Sequence, residues 1–352
     1  IISIIGSLSI IYIIMKDGRS KLSRVPNRLL FAMSIIDTCS SAAYACSTSP
    51  IPKDAKQTYG AIGNSLTCNM QGFFIHLGLG VPIYNASLCL YYLGTIRYNM
   101  SETIFSEKYE CYMHAIAIFL PFVTGAMAII FGSFNDKHIF CYLQGKCSNL
   151  ISSECEEALD TYGNIMMIFL YIWYFVIIVV ICTSMVLVHK TVQEKERLAR
   201  KHSFPTHSLS RGNVETREAA KQCMLYVGSF FVTFTFPAII NFVGEAGMDS
   251  FVLMLLMQIT LPLQGFWNFI AYIRPRLHTL QERFRGKSLI WYMLQLFSPE
   301  DESPSKRKSQ TMFVINSLRE IEESISDLAT KVHDDKIESD ETNDTILVEN
   351  GR

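Results

Sequence analysis

The stretch Leu261-Pro262-Leu263-Gln264-Gly265-Phe266-Trp267-Asn268-Phe269-Ile270-Ala271-Tyr272-Ile273-Arg274-Pro275 decides the fold. It ends the last of about seven apolar segments. It carries Pro, Gln, Gly and Asn inside a membrane-length run and closes on a basic, proline-stopped exit. Polar residues at membrane depth are costly, so they face other helices or a water pocket rather than lipid.

Working outward, apolar segments fall at about 1–15, 28–48, 69–97, 111–134, 162–188, 222–245 and 250–273. Runs of ~20 apolar residues are long enough to cross a ~30 Å hydrocarbon core as helices. The chain is 49% hydrophobic and only 18% charged, which excludes a soluble, alternating surface. The expected fold is an all-α membrane protein: a seven-transmembrane helix bundle over 1–273, then an amphipathic eighth helix at 274–297. The tail at 298–352 is polar and charged, so it is expected to be mostly disordered. The chain opens inside an apolar run with no charged leader before it, so the first helix reads as truncated at its N-terminus.

Charge sorts the loops. The first loop holds Lys16, Arg19, Lys21, Arg24 and Arg28, and the fifth is basic from Lys190 to Lys221. The second, fourth and sixth together hold only Lys53, Lys56, Lys137 and Lys146. The positive-inside bias puts the odd loops and the tail in the cytoplasm and the N-terminus outside. Cys68, Cys141, Cys147 and Cys155 then lie on the oxidising side, where disulfides persist. Four cysteines allow three connectivities, and Cys68–Cys141 with Cys147–Cys155 is one of them. The other cysteines read as small buried hydrophobes.

More specific features add to this architecture. Cys68-Asn69-Met70-Gln71-Gly72-Phe73-Phe74 opens the third segment, which exits as Leu90-Tyr91-Tyr92-Leu93-Gly94-Thr95-Ile96-Arg97-Tyr98-Asn99. The sixth contains Tyr226-Val227-Gly228-Ser229-Phe230-Phe231 and then Phe236-Pro237-Ala238-Ile239. Over about residues 1–297 the chain resembles a seven-transmembrane G-protein-coupled receptor of the cyclic-AMP-receptor-like or secretin-like branch. Thr95-Ile96 stands before Arg97 where a rhodopsin-type motif has an acidic residue, and Asn268 is followed by Phe269, not Pro. The resemblance implies a plasma-membrane receptor that passes an extracellular signal to a heterotrimeric G protein by outward movement of the sixth helix. A proline inside that helix removes one backbone hydrogen bond and suits such a bend.

Individual residues follow. Asp37 is a carboxylate at membrane depth, expected in a polar network with Asn268. Gln264, Asn268 and Tyr272 are spaced by four and share one helical face. Arg97 closes the third segment, as a switch residue or as a headgroup anchor. His76, Asn241, Glu245 and Gln258 lie in the outer halves of their helices and are the candidate ligand-binding residues. In the tail, Val314, Leu318, Ile321, Ile325, Leu328 and Val332 form a heptad seam within about 312–333, a surface for self-association or an adaptor.

Two other classes make different demands on the sequence. A transporter or channel calls for internal repeats and broken helices around midplane charges, and no repeat relates the two halves. An enzyme or retinal pump is not expected: residues 250–273 hold no Lys for a Schiff base, and His76 and His114 lie near opposite faces and share no metal. No cofactor and no nucleic acid are implied; the expected partners are a G protein, an extracellular ligand and membrane lipids.

Overall fold

The computed structural model describes residues 1–16, 18–54, 58–136, 139–143, 157–201, 207–243, 250–284 and 286–297. All belong to one compact unit, Ile1–Ser298. The tail and its heptad seam at 312–333 lie outside the described residues, as do Cys147, Cys155 and Glu245.

The chain is mostly helical. Helix α1 spans Ile2–Lys16, a short turn α2 Arg19–Leu22, and α3 Val25–Ala45. Helices α4 and α5 span Ser65–Leu77 and Gly80–Arg97. A turn α6, Glu102–Phe105, leads through a π-helical turn, Ser106–Glu110, into α7, Cys111–Ile130. Strands β1 (Phe134–Asp136) and β2 (Cys141–Leu143) pair antiparallel. Then come α8, Glu157–Lys201, α9, His207–Val243, and α10, Phe251–Thr260. A 3₁₀ turn, Leu261–Leu263, joins α10 to α11, Gln264–Arg283, and α12 spans Leu289–Leu296.

Among the described residues, five helical stretches are long and apolar enough to cross a membrane: Ser65–Arg97, Glu102–Ile130, Ile165–Leu198, Arg217–Ile240 and Phe251–Arg283. Helix α1 is apolar but shorter, at 15 residues. It packs against α3 and α11, while α5 packs against α3, α7, α8 and α9 and is the most enclosed element. Tyr84, Leu88, Tyr226, Phe230 and Ile181 are fully buried where α5, α8 and α9 meet.

Proline and capping chemistry set the breaks. The sequence reads 69–97 as one segment, but the helix bends between Leu77 and Gly80. Pro82 has no N–H for the carbonyl four residues back. That carbonyl, on Gly78, is taken instead by the Val81 N–H at 3.0 Å. Helix α4 starts in a capping box: Thr67 N–H donates to Asn64 Oδ1 at 3.0 Å, and Asn64 N–H donates to Thr67 Oγ1 at 2.8 Å. Helix α7 stops at Ile130, short of the expected 134, because Gly132 takes a positive φ of 61° and Phe134 enters β1.

The expected proline stop at 275 does not occur. Helix α11 runs through Pro275 to Arg283, so 274–283 belongs to the last long helix and not to a separate eighth helix. Gly286, at φ 90°, turns the chain, and the Ser288 hydroxyl caps α12 by accepting from Trp291 N–H at 3.3 Å. The short α12 buries Tyr292 and Leu296 and leaves Ile290 and Leu294 exposed. Tyr292 donates to the Phe284 carbonyl at 2.6 Å, and Lys16 donates to the carbonyl of Phe297. The amphipathic element is therefore 289–296, tied to α1 and α11.

Two staples hold opposite ends of the body. Cys68 and Cys141 form a disulfide, with Cα atoms 5.3 Å apart, joining α4 to β2. Gln71 supports it: its amide donates to the Ala43 and Ser47 carbonyls at 3.1 and 2.8 Å and accepts from Cys141 N–H at 2.9 Å. At the other end Arg28 grips Glu110 with two bonds, Nε to Oε1 at 2.5 Å and Nη2 to Oε2 at 2.6 Å. Its Nη1 also donates to the Leu22 carbonyl at 2.7 Å, and Glu102 accepts from Val25 N–H at 2.7 Å, capping α3.

Candidate functional site

A cavity of about 600 Å³ opens among α3, the α4–α5 bend, β2, α8, α9 and α10. Helix α3 supplies Asp37, Ser40, Ser41 and Tyr44, and α11 supplies Gln264 at its first residue. Helix α8 contributes Met167, Leu170, Tyr171 and Tyr174, and α9 contributes Phe234 and Pro237. Phe140 and Tyr142 of the hairpin reach in beside Tyr44, with ring centroids 5.3 Å apart for Tyr44 and Phe140.

Beneath the cavity lies a polar hub. Asp37 is only 4% exposed. Its Oδ2 accepts from Ser7 Oγ at 2.6 Å and from Ser3 Oγ at 3.1 Å. Ser3 Oγ in turn accepts from the Gly265 N–H at 2.8 Å. A carboxylate with two hydroxyl donors is tolerated at a depth where an unpaired one is not. The hub ties α1, α3 and α11 together. The close crossing requires glycine: a Cβ on Gly6 would sit 2.7 Å from the Gly265 carbonyl oxygen, far inside contact distance.

Asn268 lies one turn further along α11 and is 1% exposed. It accepts from Ser229 Oγ at 3.2 Å, and its Nδ2 lies 4.0 Å from Met33 Sδ. It thus joins α11 to α9 and α3. Met33 and Asp37 are four residues apart on α3, so the expected Asp37–Asn268 pairing becomes two separate contacts to one face of that helix. Tyr272 is partly buried against the same apolar core. Gln264 is 5% exposed and lines the cavity, yet its Nε2 has no hydrogen-bond partner among the described residues.

Arg97 sits at the far end of α5, where its Nη1 donates to Thr191 Oγ1 of α8 at 3.2 Å. Thr191 spends its own proton on the Leu187 carbonyl at 2.8 Å. Beside it, Lys195 donates to the Ile96 carbonyl at 2.8 Å. These contacts latch this end of α5 to α8.

Of the candidate ligand residues, the two whose side chains are described, His76 and Gln258, do not line the cavity. His76 is fully buried, but it faces α7: its Nε2 lies 2.8 Å from Thr124 Oγ1. Thr124 donates to the Leu120 carbonyl at 2.8 Å, so the imidazole is the donor in that pair and carries its proton on Nε2. Neither His76 nor Gln258 lines the cavity, although Met257 and Leu261 on either side of Gln258 do. Asn241 lies in the last turn of α9, next to the cavity residue Ile240; its side chain and Glu245 lie outside the described residues.

Sequence reasoning missed the aromatic wall and the hairpin that supplies part of it. Tyr44, Tyr171 and Tyr174 look like ordinary interfacial or core tyrosines in sequence. Only the meeting of α3 with α8 makes them a wall. It also missed the chain from Arg28 through Glu110 to His114, whose Nδ1 meets the Tyr84 hydroxyl at 2.8 Å. Compared with known proteins, the chain matches no protein-family model and has no significant match among curated proteins.

Proposed function

We propose that the chain is a seven-transmembrane receptor of the cyclic-AMP-receptor-like or secretin-like kind, passing an extracellular signal to a heterotrimeric G protein. The observation that carries the reading is one body with a cavity, a polar hub and a latch in series. The cavity rests on Asp37 and Gln264, the hub joins α1, α3 and α11, and Arg97 holds α5 to α8 at the other end. A ligand acts only through its different affinity for two states of the protein. Occupying a cavity that touches Pro237 of α9 and the first residue of α11 biases how those helices sit. Counting α4–α5 as one span, α6–α7 as another and α10–α11 as the last gives seven, with the disulfide outside and the basic ends of α8 and α9 in the cytoplasm. Helix α12 then lies at the inner leaflet, and the plasma membrane is the place such a receptor works.

The test is guanine-nucleotide exchange on G proteins co-reconstituted with the chain, comparing wild type with Arg97→Ala. Exchange that needs the chain and falls in Arg97→Ala is the expected result. Exchange that is the same with and without the chain, for every G-protein class, sinks the proposal.

A second reading has its own observation. Helices α4–α5 and α10–α11 are both discontinuous near the cavity, and broken helices around a buried carboxylate are also a transporter's device. Saturable solute flux in liposomes lacking any G protein would favour it.

A further inference from the structure

The cavity's chemistry narrows its occupant. At about 600 Å³ it falls in the range of small-molecule sites. Its walls are apolar and aromatic, with Tyr44, Phe140, Tyr142, Tyr171, Tyr174 and Phe234 among them. Its floor holds one carboxylate, Asp37, and one amide, Gln264, each at least nine-tenths buried. No Lys, Arg or His is among the described residues that line it. Nothing there neutralises an anion, and the buried carboxylate repels one.

Two features ask for a polar head. A carboxylate has about four acceptor positions, and the hydroxyls of Ser3 and Ser7 use two of those on Asp37. The amide of Gln264 is buried without a partner, a state that native proteins seldom leave unfilled. Aromatic faces attract a cation when water is excluded.

We infer that the cavity binds a small, largely apolar molecule carrying one protonated amine with a hydroxyl beside it, the ammonium donating to Asp37, the hydroxyl oxygen accepting from Gln264 Nε2 and the apolar body against the tyrosine wall. Phosphate-bearing and carboxylate ligands are disfavoured here by the charge of Asp37. The inference rests on the receptor reading for the consequence of binding, and not for binding itself.

The test uses three probes that share a phenylethyl carbinol and differ only at the terminal group: the amine 1-amino-4-phenylbutan-2-ol, the alcohol 4-phenylbutan-2-ol and 2-hydroxy-4-phenylbutyrate. Each is titrated into the purified chain in lipid nanodiscs while thermal unfolding is followed, since a ligand of the folded state raises the midpoint with concentration. The amine is expected to stabilise, the alcohol to bind about tenfold more weakly, and the butyrate not to bind. Asp37→Asn should abolish the preference for the amine. Because that variant removes a hub residue, Gln264→Leu is measured beside it. An unpartnered buried amide replaced by an apolar group of similar shape leaves folding intact, and the amine should bind severalfold more weakly to it. Equal stabilisation by all three probes, preference for the butyrate, or unchanged amine binding in Gln264→Leu each overturns the inference. Amine binding without nucleotide exchange would remove the receptor reading and leave the site. Exchange without amine preference would do the reverse.

Discussion

Replacing Gly265 by Ala tests the hub most directly. A Cβ at that position would lie 2.6 Å from the Ser3 carbonyl oxygen, and nearer still to Ser7 Oγ and Asp37 Oδ2. Ordinary contact begins at 3.4 Å, so α1 has to withdraw by about 0.8 Å or more. Overpacking of this kind costs about 1–3 kcal/mol. The withdrawal also stretches the bonds from Ser3 and Ser7 to Asp37, and hydrogen bonds to a charged group contribute about 1.5–3 kcal/mol each. Against this, Ala gains about 1 kcal/mol over Gly in a helix interior. The net loss is about 2–3 kcal/mol, which lowers the unfolding midpoint by roughly 4–12 °C at about 2–4 °C per kcal/mol. Gly228 supplies the control, because a Cβ there meets nothing within 4 Å. Gly228→Ala should be neutral or stabilising by up to about 1 kcal/mol. Cys39, Cys46, Cys111 and Cys182 are exposed and are blocked first in the folded state; a thiol-reactive dye then follows unfolding of both variants in nanodiscs through Cys89 and Cys223, free and buried until the body opens. A Gly265→Ala midpoint equal to that of Gly228→Ala would refute the close crossing and the hub built on it.

Other perturbations follow from the staples. Cys68→Ser and Cys141→Ser should each cost about 2–4 kcal/mol, and the double variant no more than either single one, when unfolding is compared without reductant. Arg28→Ala and Glu110→Ala each strand one partner of a pair only 27% and 10% exposed, so each should cost about 3 kcal/mol. A double-mutant cycle on the two should return a coupling above about 1 kcal/mol, and a coupling near zero would mean that the pair does not form.

What the sequence makes legible is what hydropathy and charge encode. Long apolar runs predict long helices, and five of the expected stretches are long and apolar enough to cross a membrane. The Cys68–Cys141 bridge is one of three pairings that counting allows, and only packing of β2 against α4 selects it. Helix ends are read less well. Pro275 looks like a stop because proline lacks an N–H, yet the structure loses only one bond there and carries the helix on to Arg283. Pro82 and Pro262 look similar in sequence and do interrupt their helices, at the 78–79 bend and the 261–263 turn. At Pro82 the freed Gly78 carbonyl is taken within the bend itself by the Val81 N–H. Ligand residues were hardest to read. His76 stands out by residue type but turns its Nε2 to α7 and lies outside the cavity lining, whereas the cavity wall is built from tyrosines that no local pattern marks.

The tripeptide Gln-Gly-Phe, present at 71–73 and again at 264–266, shows how far residue type falls short of role. Both glycines admit a close neighbour. At Gly72 a Cβ would meet the ring of Phe134 at 2.5 Å, and at Gly265 it would meet the hub. Both glutamines are buried at about 5% exposure. Gln71 fulfils its amide completely, with two carbonyls accepting and one N–H donating, and so locks the disulfide hairpin to α3 and α4. Gln264 occupies the same place in the tripeptide and leaves its nitrogen bare at the floor of a cavity. Burial without a partner costs about 1–3 kcal/mol, and a leucine there would avoid that cost. The first glutamine is accounted for by structure alone. The second is accounted for once a ligand supplies the missing partner, which is why Gln264, rather than His76, is the residue on which the proposed site turns.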